Sequence, residues 1–256
     1  MKRFWNAVTV APEDGGFRVA LDGRPLRTQG GAAQIVPTRA LAEALAGEWR
    51  VAGAAAGDRV DPGAFPLRDL ADLAIDRIAP DRGAQVTPVL RYGETDTLCY
   101  FADPQEPLFA RQQALWEPLL AAAEARYAIR LERISGVVHC PQPPATLARL
   151  QSVLEAQDAF GLAALATMVP LTASLVVGLA ALEEGADPVP LFAAAACEED
   201  WQAELWGSDE EPARVRAARE AAFVLAARFA RLADPSADRP TDDGSQPIQS
   251  ATSRAI

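Results

Sequence analysis

Short apolar stretches separated by turn residues fill the first part of the chain. The stretches FWNAVTV, FRVAL and AAQIVP alternate with EDGG, DGRP and QGG over residues 4–37. Short runs of this kind, bounded by glycine, proline and aspartate, are typical of strands joined by hairpin turns. The pattern therefore predicts strands and hairpins at the N-terminus.

A helical period replaces this pattern at Thr38, a residue type that suits a helix N-cap. Leu41, Leu45 and Trp49 then recur every fourth residue and give the segment one apolar face. The segment LRDLADLAIDRI predicts a second, shorter helix. Together the strands and these helices predict a small mixed β/α domain.

Helical spacing dominates the rest of the chain. TDTLCYF and IRLERISGVV have the composition of strands, and between them EPLFARQQALWEPLLAAAEARY predicts one strong helix. Residues 145–233 are helical in period, with interruptions that include Pro170, Gly185 and Gly207. The last segment is rich in Pro, Ser, Asp and Gly and holds almost nothing to bury, so a flexible tail is predicted for residues 234–256.

The fold class predicted from these patterns is α+β. A small β-containing N-terminal domain, residues 1–80, is followed by a larger, mainly α-helical C-terminal domain, residues 81–233. Half of the residues are apolar but only 7% are aromatic, and alanine supplies much of the apolar share, which favours close-packed helices.

The charge and the cysteines exclude several classes of function. A formal net charge of −11 repels phosphate backbones and anionic lipid headgroups, so nucleic acid is not an expected partner. The three cysteines are widely separated and form no CxxC pair, as expected for thiols of a reducing compartment. No export signal is recognised at the N-terminus, and a cytoplasmic location is expected.

One uncharged stretch, residues 159–182, has the length of a membrane span. It is only mildly apolar, Pro170 interrupts it, and acids rather than basic residues flank it. Two buried helices that meet near Pro170 are the favoured interpretation, and no membrane insertion is expected.

The usual catalytic and metal-binding patterns are weak. His139, the single histidine, precedes Cys140, and adjacent strand residues point to opposite faces, which disfavours a thiolate–imidazole pair. A zinc site would need scattered carboxylates and thiols, and the glycine pairs lack the spacing and lysine of a phosphate-binding loop. No metal and no cofactor is predicted.

The stretch CEEDWQAELWGSDEE holds the densest set of carboxylates. On a helix, Cys197, Trp201 and Leu205 share one stripe, which is expected to face the core. Glu198 falls beside that stripe, one turn before Gln202, where a side chain is partly desolvated and still reachable. Three consecutive acids diverge by about 100° each, so they do not converge on a metal or form a glycosidase pair.

The other acids have simpler interpretations. Asp200 is expected on a solvated helix face. Glu199 lies on the same side of the helix as Trp206. The bulk of Trp206 fits a core position better than an interface. Glu198 is suited to hold a backbone N–H or an arginine of another molecule. A second catalytic carboxylate would have to come from another segment, and the candidates are Asp72, Asp76, Asp96 and Glu117.

A series of motifs runs in order from Phe4 to Glu211: RFW, LDGRPLRT, VPT, EW, FPL followed by AIDR, RYGETDTLCY, Q with WEP, and EEDWQAELWGSDEE. As a series, these motifs resemble those of the assembly-chaperone family for the α subunit of the F-type ATP synthase head. The chain departs from the usual pattern at Phe65, where methionine is common, and at Gln29, where proline is common. Neither departure touches a charged site.

The resemblance implies a molecular chaperone and not an enzyme. Such a chaperone binds the unassembled α subunit over apolar surface that later meets the β subunit, because exposed surface of that kind is an aggregation hazard. The family has a functionally important glutamate near the WQ and WG pair, where Glu198 and Glu199 both lie. The candidate partner-binding residues are therefore Glu198, Glu199, Gln202 and Trp206. The alternatives are a carboxylate-dependent hydrolase of a small substrate and a membrane-associated assembly subunit.

Overall fold

A computed structural model describes residues 2–53, 58–136, 138–207 and 209–238. The chain begins with an antiparallel sheet of four strands, β1 (Val8–Glu13), β2 (Gly16–Leu21), β3 (Arg24–Pro25) and β4 (Ile35–Val36). β1 and β2 pair along their full length, and Gly15 makes the turn between them with a φ of +83°, which an L side chain rarely adopts. The predicted N-terminal hairpin is confirmed.

The helices follow the sheet. They are α1 (Arg39–Val51), α2 (Pro66–Leu73), α3 (Arg82–Glu94), α4 (Pro107–Tyr127), α5 (Pro144–Glu155), α6 (Ala159–Thr172), α7 (Leu175–Ala180), α8 (Pro188–Ala195), α9 (Cys197–Trp206) and α10 (Glu210–Ala233). A π-helical turn, Ala74–Ile78, extends α2. Two short parallel strands, β5 (Tyr100–Phe101) and β6 (Ile134–Ser135), flank α4. The predicted α+β fold class, with strands first and helices after them, is confirmed.

α1 begins where the sequence predicts because Thr38 caps it. The Thr38 hydroxyl oxygen accepts the N–H of Leu41 at 3.0 Å, and the hydroxyl also donates to the carbonyl of Leu232 on α10. Leu45 and Trp49 are buried on the predicted apolar face. One buried side chain therefore joins the start of α1 to the C-terminal helix.

Thr38→Ala is expected to lower the free energy of unfolding by about 1–2 kcal/mol, because it removes a helix cap and leaves the carbonyl of Leu232 without its donor. Urea denaturation measures the change. Thr87→Ala is the matched control, since Thr87 is exposed on α3, and it is expected to change stability by less than about 0.5 kcal/mol. Equal unfolding midpoints for the two variants would contradict the role given to Thr38.

Two aspartates near the end of α2 hold the loop between β3 and β4. Asp72 accepts the N–H of Gln29 at 3.1 Å and a side-chain N–H of Gln34 at 2.6 Å. Asp76 accepts the N–H of Gly30 at 2.8 Å. Both carboxylates are engaged by the loop between β3 and β4, which accounts for their position without a catalytic role.

Asp96 and Glu117 also have structural partners. Asp96 is fully buried and accepts the N–H groups of Leu98 and Val176, so it joins the chain before β5 to α7. Burial raises the pKa of Asp96 to about 6 although these donors act in the opposite direction. Glu117 pairs with Arg133 at 3.1 Å. All four candidates for a second catalytic acid are thus held by partners outside α9.

Residues 159–182 hold α6, α7, the turn between them and the two residues that follow α7. The helices meet at Ala173, which has a φ of +47°, and Ser174 caps α7 by accepting the N–H of Val177. The two-helix interpretation is confirmed, with the junction three residues beyond Pro170. Within the described parts of the chain, no helix is long and apolar enough to cross a membrane.

One apolar cluster extends from Val19 of β2 to Ala233 of α10. It includes the buried faces of α6 and α10, where the rings of Phe160 and Phe229 stack with their centroids 6.0 Å apart. The cluster has members on both sides of residue 80. The division of the chain into two domains at that residue stays a prediction. Most of the predicted tail, residues 239–256, lies outside the described residues.

Two parts of the fold differ from the sequence predictions. α3 was not predicted because it contains glycine and, at Pro88, proline; Asp81 nevertheless caps it by accepting the N–H of Ala84 at 3.0 Å. The two strands predicted on either side of α4 are only two residues long, and Tyr100 lies opposite Ile134. The β-type residues of these segments serve mainly to bury apolar side chains against the helices.

Candidate functional site

The acids singled out in the sequence lie in the first turn of α9. Glu198, Glu199 and Asp200 occupy this turn, where the helix N-terminus stabilises negative charge. Cys197 is buried as predicted, but Leu205 is 55% exposed, so the expected core stripe is wrong at its far end. The helix packs on the core at its start and leaves its end open to solvent.

Two arginines of α10 bind the acids on one side of α9. Asp200 accepts two N–H groups of Arg216, at 2.5 and 2.8 Å, and Glu199 accepts an N–H of Arg219 at 2.8 Å. Charge-assisted pairs of this geometry are stronger than ordinary hydrogen bonds. The prediction of a solvated face for Asp200 is wrong, because its side chain is 24% exposed and is fixed to α10.

The same arginines reach two further helices. Arg219 also donates to the carbonyl of Leu171 on α6 at 3.0 Å. The guanidinium groups of Arg216 and Arg219 lie over the buried ring of Phe192 on α8, 5.5 and 5.6 Å from its centroid. The start of α9 is therefore held against α6, α8 and α10 by a small set of polar and cation–π contacts.

α4 binds the opposite side of α9. Arg111 pairs with Glu204 at 2.6 Å and lies 5.7 Å from the ring centroid of Trp201. Gln112 is fully buried; its side-chain oxygen accepts the N–H of Ala102 at 2.7 Å, which sets the orientation of the amide. The Nε2 of Gln112 then donates to Oε1 of Glu198 at 2.7 Å.

Glu198 differs from the other acids of α9 in its partner. Glu199, Asp200 and Glu204 each pair with an arginine, whereas Glu198 binds a neutral amide and has no lysine or arginine ion-pair partner among the described residues. Desolvation by the surrounding helices raises the pKa of Glu198, and the hydrogen bond from Gln112 offsets part of that rise. Glu198 is thus an uncompensated carboxylate in a fixed position.

Three of the four predicted site residues line one open cavity of about 380 Å³. These residues are Glu198, Glu199 and Gln202, and the turn between α6 and α7 forms another wall. Trp206 does not line this cavity. It lies at the end of α9 and is 77% exposed, so a core position for it is wrong. The structure therefore gives α9 a cavity lined by Glu198, Glu199 and Arg219 at one end and an exposed aromatic residue at the other.

This arrangement suits the binding of a cation better than acid–base catalysis. Arg219 neutralises Glu199, which leaves Glu198 without a second free carboxylate beside it. Among the described residues, no group of three or more His, Cys, Asp or Glu could hold a metal ion. His139, the single histidine of the chain, contacts the hydroxyl of Tyr100 at 3.2 Å instead of an acid of α9. The hydrolase alternative has no carboxylate pair here.

Sequence reasoning missed the side chains that hold the acids, namely Gln112, Arg216 and Arg219. A signal for Gln112 existed, because it lies one helical turn before Trp116 of the WEP motif, and Trp116 donates to the carbonyl of Ala194 at 2.7 Å. Both residues thus contact the α8–α9 region. The two arginines lie three residues apart on α10, but pairing them with α9 requires knowledge of how the helices pack.

Comparisons with known proteins agree with this architecture. A family model described as ATP12 chaperone protein matches residues 2–124. The crystal structure of Atp12 from Paracoccus denitrificans is 39% identical, with a TM-score of 0.85, and the match covers 91% of this chain and 98% of that chain. A structure from Agrobacterium tumefaciens is 38% identical, with a TM-score of 0.81, over 91% of this chain and 85% of that chain.

A more distant relative is Protein atp12, mitochondrial, from Schizosaccharomyces pombe. It is 25% identical over 226 residues, which are 82% of this chain and 75% of the relative. The structural matches extend well beyond the N-terminal region that the family model covers, and they include most of the helical part of the fold. The chain therefore belongs to the ATP12 chaperone family.

Proposed function

We propose that this chain is a chaperone of ATP synthase assembly that binds the unassembled α subunit of the catalytic head and shields its surface for the β subunit until handover. Membership of the ATP12 chaperone family supports a role in assembly. The choice of site rests on Glu198, whose carboxylate has no ion-pair partner among the described residues and is fixed by Gln112 at the wall of an open cavity.

The roles proposed for the site residues follow from their surroundings. Glu198 accepts a hydrogen bond from a donor of the client, and Gln202, one turn later, supplies an amide beside it. Glu199 is the alternative acid, although Arg219 already binds it. Trp206 provides an apolar contact, since a large aromatic side chain that is 77% exposed is characteristic of binding surfaces.

The proposed role requires no turnover and no cofactor, because the chain acts only by holding and releasing its client. A cytoplasmic location forms part of the proposal. Free thiols at Cys99, Cys140 and Cys197 support it, since cysteines of a reducing compartment are kept in that form.

Trp206→Ala is expected to weaken binding of the α subunit by about tenfold, because the indole is the largest apolar group at the open end of α9. Titration calorimetry with the isolated α subunit measures the change. Stability is expected to stay within about 0.5 kcal/mol of wild type, since the side chain is exposed. Val51→Ala, at an exposed apolar position on α1, is the matched control and is expected to have no effect on binding. Equal binding of the α subunit by both variants would contradict the binding role proposed for Trp206.

Co-purification tests the proposed function. The isolated α subunit is expected to elute with this chain, and the isolated β subunit, which serves as control, is expected to elute separately. Binding of both subunits with equal strength would contradict the proposed specificity, and failure to bind any form of the α subunit would contradict the proposed function.

A further inference from the structure

The cavity beside Glu198 adjoins a second cavity of about 520 Å³ between α3 and α6. Pro170 lines both cavities, and it is exposed on α6. The second cavity also includes Pro88, Val89, Tyr92, Thr95 and Ala166. The two cavities share Pro170 as a lining residue, and together they are called the Pro170 groove below.

The two ends of the Pro170 groove differ in chemistry. At the α3 end, Pro88 and Tyr92 offer apolar surface over the buried Val89, with Arg91 as a charged neighbour. At the α9 end, Glu199 and Arg219 also line the cavity and pair with each other at 2.8 Å. Glu198 presents there a carboxylate whose Oε1 is bound by Gln112. Because that partner is neutral, the charge of Glu198 is available to a cation from another molecule.

Pro170 also changes the backbone along the groove. It lies inside α6 and has no N–H to donate to the carbonyl of Ala166, four residues earlier. Ala166 and Pro170 both line the groove, and the carbonyl of Ala166 lacks its usual helical donor. Such a carbonyl is a natural acceptor for an external backbone N–H.

We propose that the Pro170 groove binds an extended segment of the client, with a lysine or arginine beside Glu198 and an apolar side chain against Tyr92. A backbone N–H of this segment donates to the carbonyl of Ala166. An extended segment fits because its N–H groups are unpaired, whereas those of a helix are bound within the helix. The inference rests on the proposed function, because the segment belongs to the α subunit.

Blocking the groove tests the location of this contact. Thr95→Trp places a large ring at an exposed position that lines the α3 end of the groove. It is expected to weaken binding of the whole α subunit by at least about tenfold. Thr87→Trp adds the same ring at an exposed position of α3 that does not line the groove, and it is expected to change binding by less than about twofold. Equal binding by both variants would overturn the inference and leave the proposed function standing.

Short overlapping peptides from the α subunit sequence test the chemistry of the segment. At least one peptide with a lysine or arginine next to apolar residues is expected to bind. Replacing its cation with methionine is expected to weaken binding about tenfold to the wild-type chain, and to have little further effect on the Glu198→Gln variant. Additive effects of the two changes, or binding of the whole subunit without binding of any peptide, would overturn the inference. Absence of binding by the whole subunit would overturn the proposed function as well.

Discussion

Glu198→Lys is expected to abolish capture of the α subunit and to leave the fold intact. The substituted ammonium would lie beside the donor amide of Gln112 and would repel a cation of the client, so attraction is replaced by repulsion at the centre of the site. A loss of at least about a hundredfold in affinity is expected. Titration of the isolated α subunit measures it, and circular dichroism checks that the helices are retained.

Two further variants separate the local effect from a change in net charge. Glu155→Lys alters the net charge equally at an exposed position of α5 and is expected to bind the α subunit like wild type. Glu198→Gln keeps the shape and loses the charge, and a loss of about tenfold is expected. If Glu155→Lys weakened binding as much as Glu198→Lys, the effect would come from overall charge, and the site at Glu198 would be wrong.

Trp116→Ala is expected to lower the free energy of unfolding by about 3–5 kcal/mol. The Trp116 side chain is fully buried on α4, donates to the carbonyl of Ala194 at 2.7 Å and packs edge-on against Phe101, with centroids 5.2 Å apart. Truncation removes the aromatic contact, opens a cavity and removes the side-chain donor of the carbonyl of Ala194 at the end of α8. Denaturant unfolding followed by circular dichroism measures the loss.

The neighbouring residue supplies the control for this variant. Leu115 lies on the same helix but is 39% exposed, so Leu115→Ala is expected to cost less than about 1 kcal/mol. Because Ala194 is three residues before Cys197, Trp116→Ala is also expected to disturb the start of α9. Equal stabilities of the Trp116→Ala and Leu115→Ala variants would contradict the packing described for α4.

Local signals in the sequence account for the parts of the fold that were predicted. Thr38 and the spacing of Leu41 and Leu45 specify α1 with no long-range information, and the glycine turn at Gly15 specifies the first hairpin. α3 escaped prediction because its helical period is interrupted by Pro88, so its formation depends on packing against α5 and α6. The strand-like composition of TDTLCYF and IRLERISGVV also predicted longer strands than β5 and β6, which have two residues each.

The candidate site was only partly predictable for a similar reason. Helical geometry placed Glu198 beside Cys197 and one turn before Gln202, and these positions depend on α9 alone. The arginine partners of Glu199 and Asp200 come from α10, more than a dozen residues away, so sequence spacing could not assign them. Leu205 was expected inside because periodicity assumes that a helix is packed along its whole length, whereas the end of α9 is not. Trp206 was expected inside because of its bulk, and the same unpacked end leaves it exposed.

Suppression of aggregation tests the central claim most directly. Light scattering of the isolated α subunit is measured during refolding, alone and with equimolar wild-type chain or the Glu198→Lys variant. The wild-type chain is expected to suppress the scattering, and Glu198→Lys is expected to leave it at the level of the α subunit alone. Equal suppression by both proteins would contradict a client site at Glu198, and no suppression by the wild-type chain would contradict the proposed chaperone function.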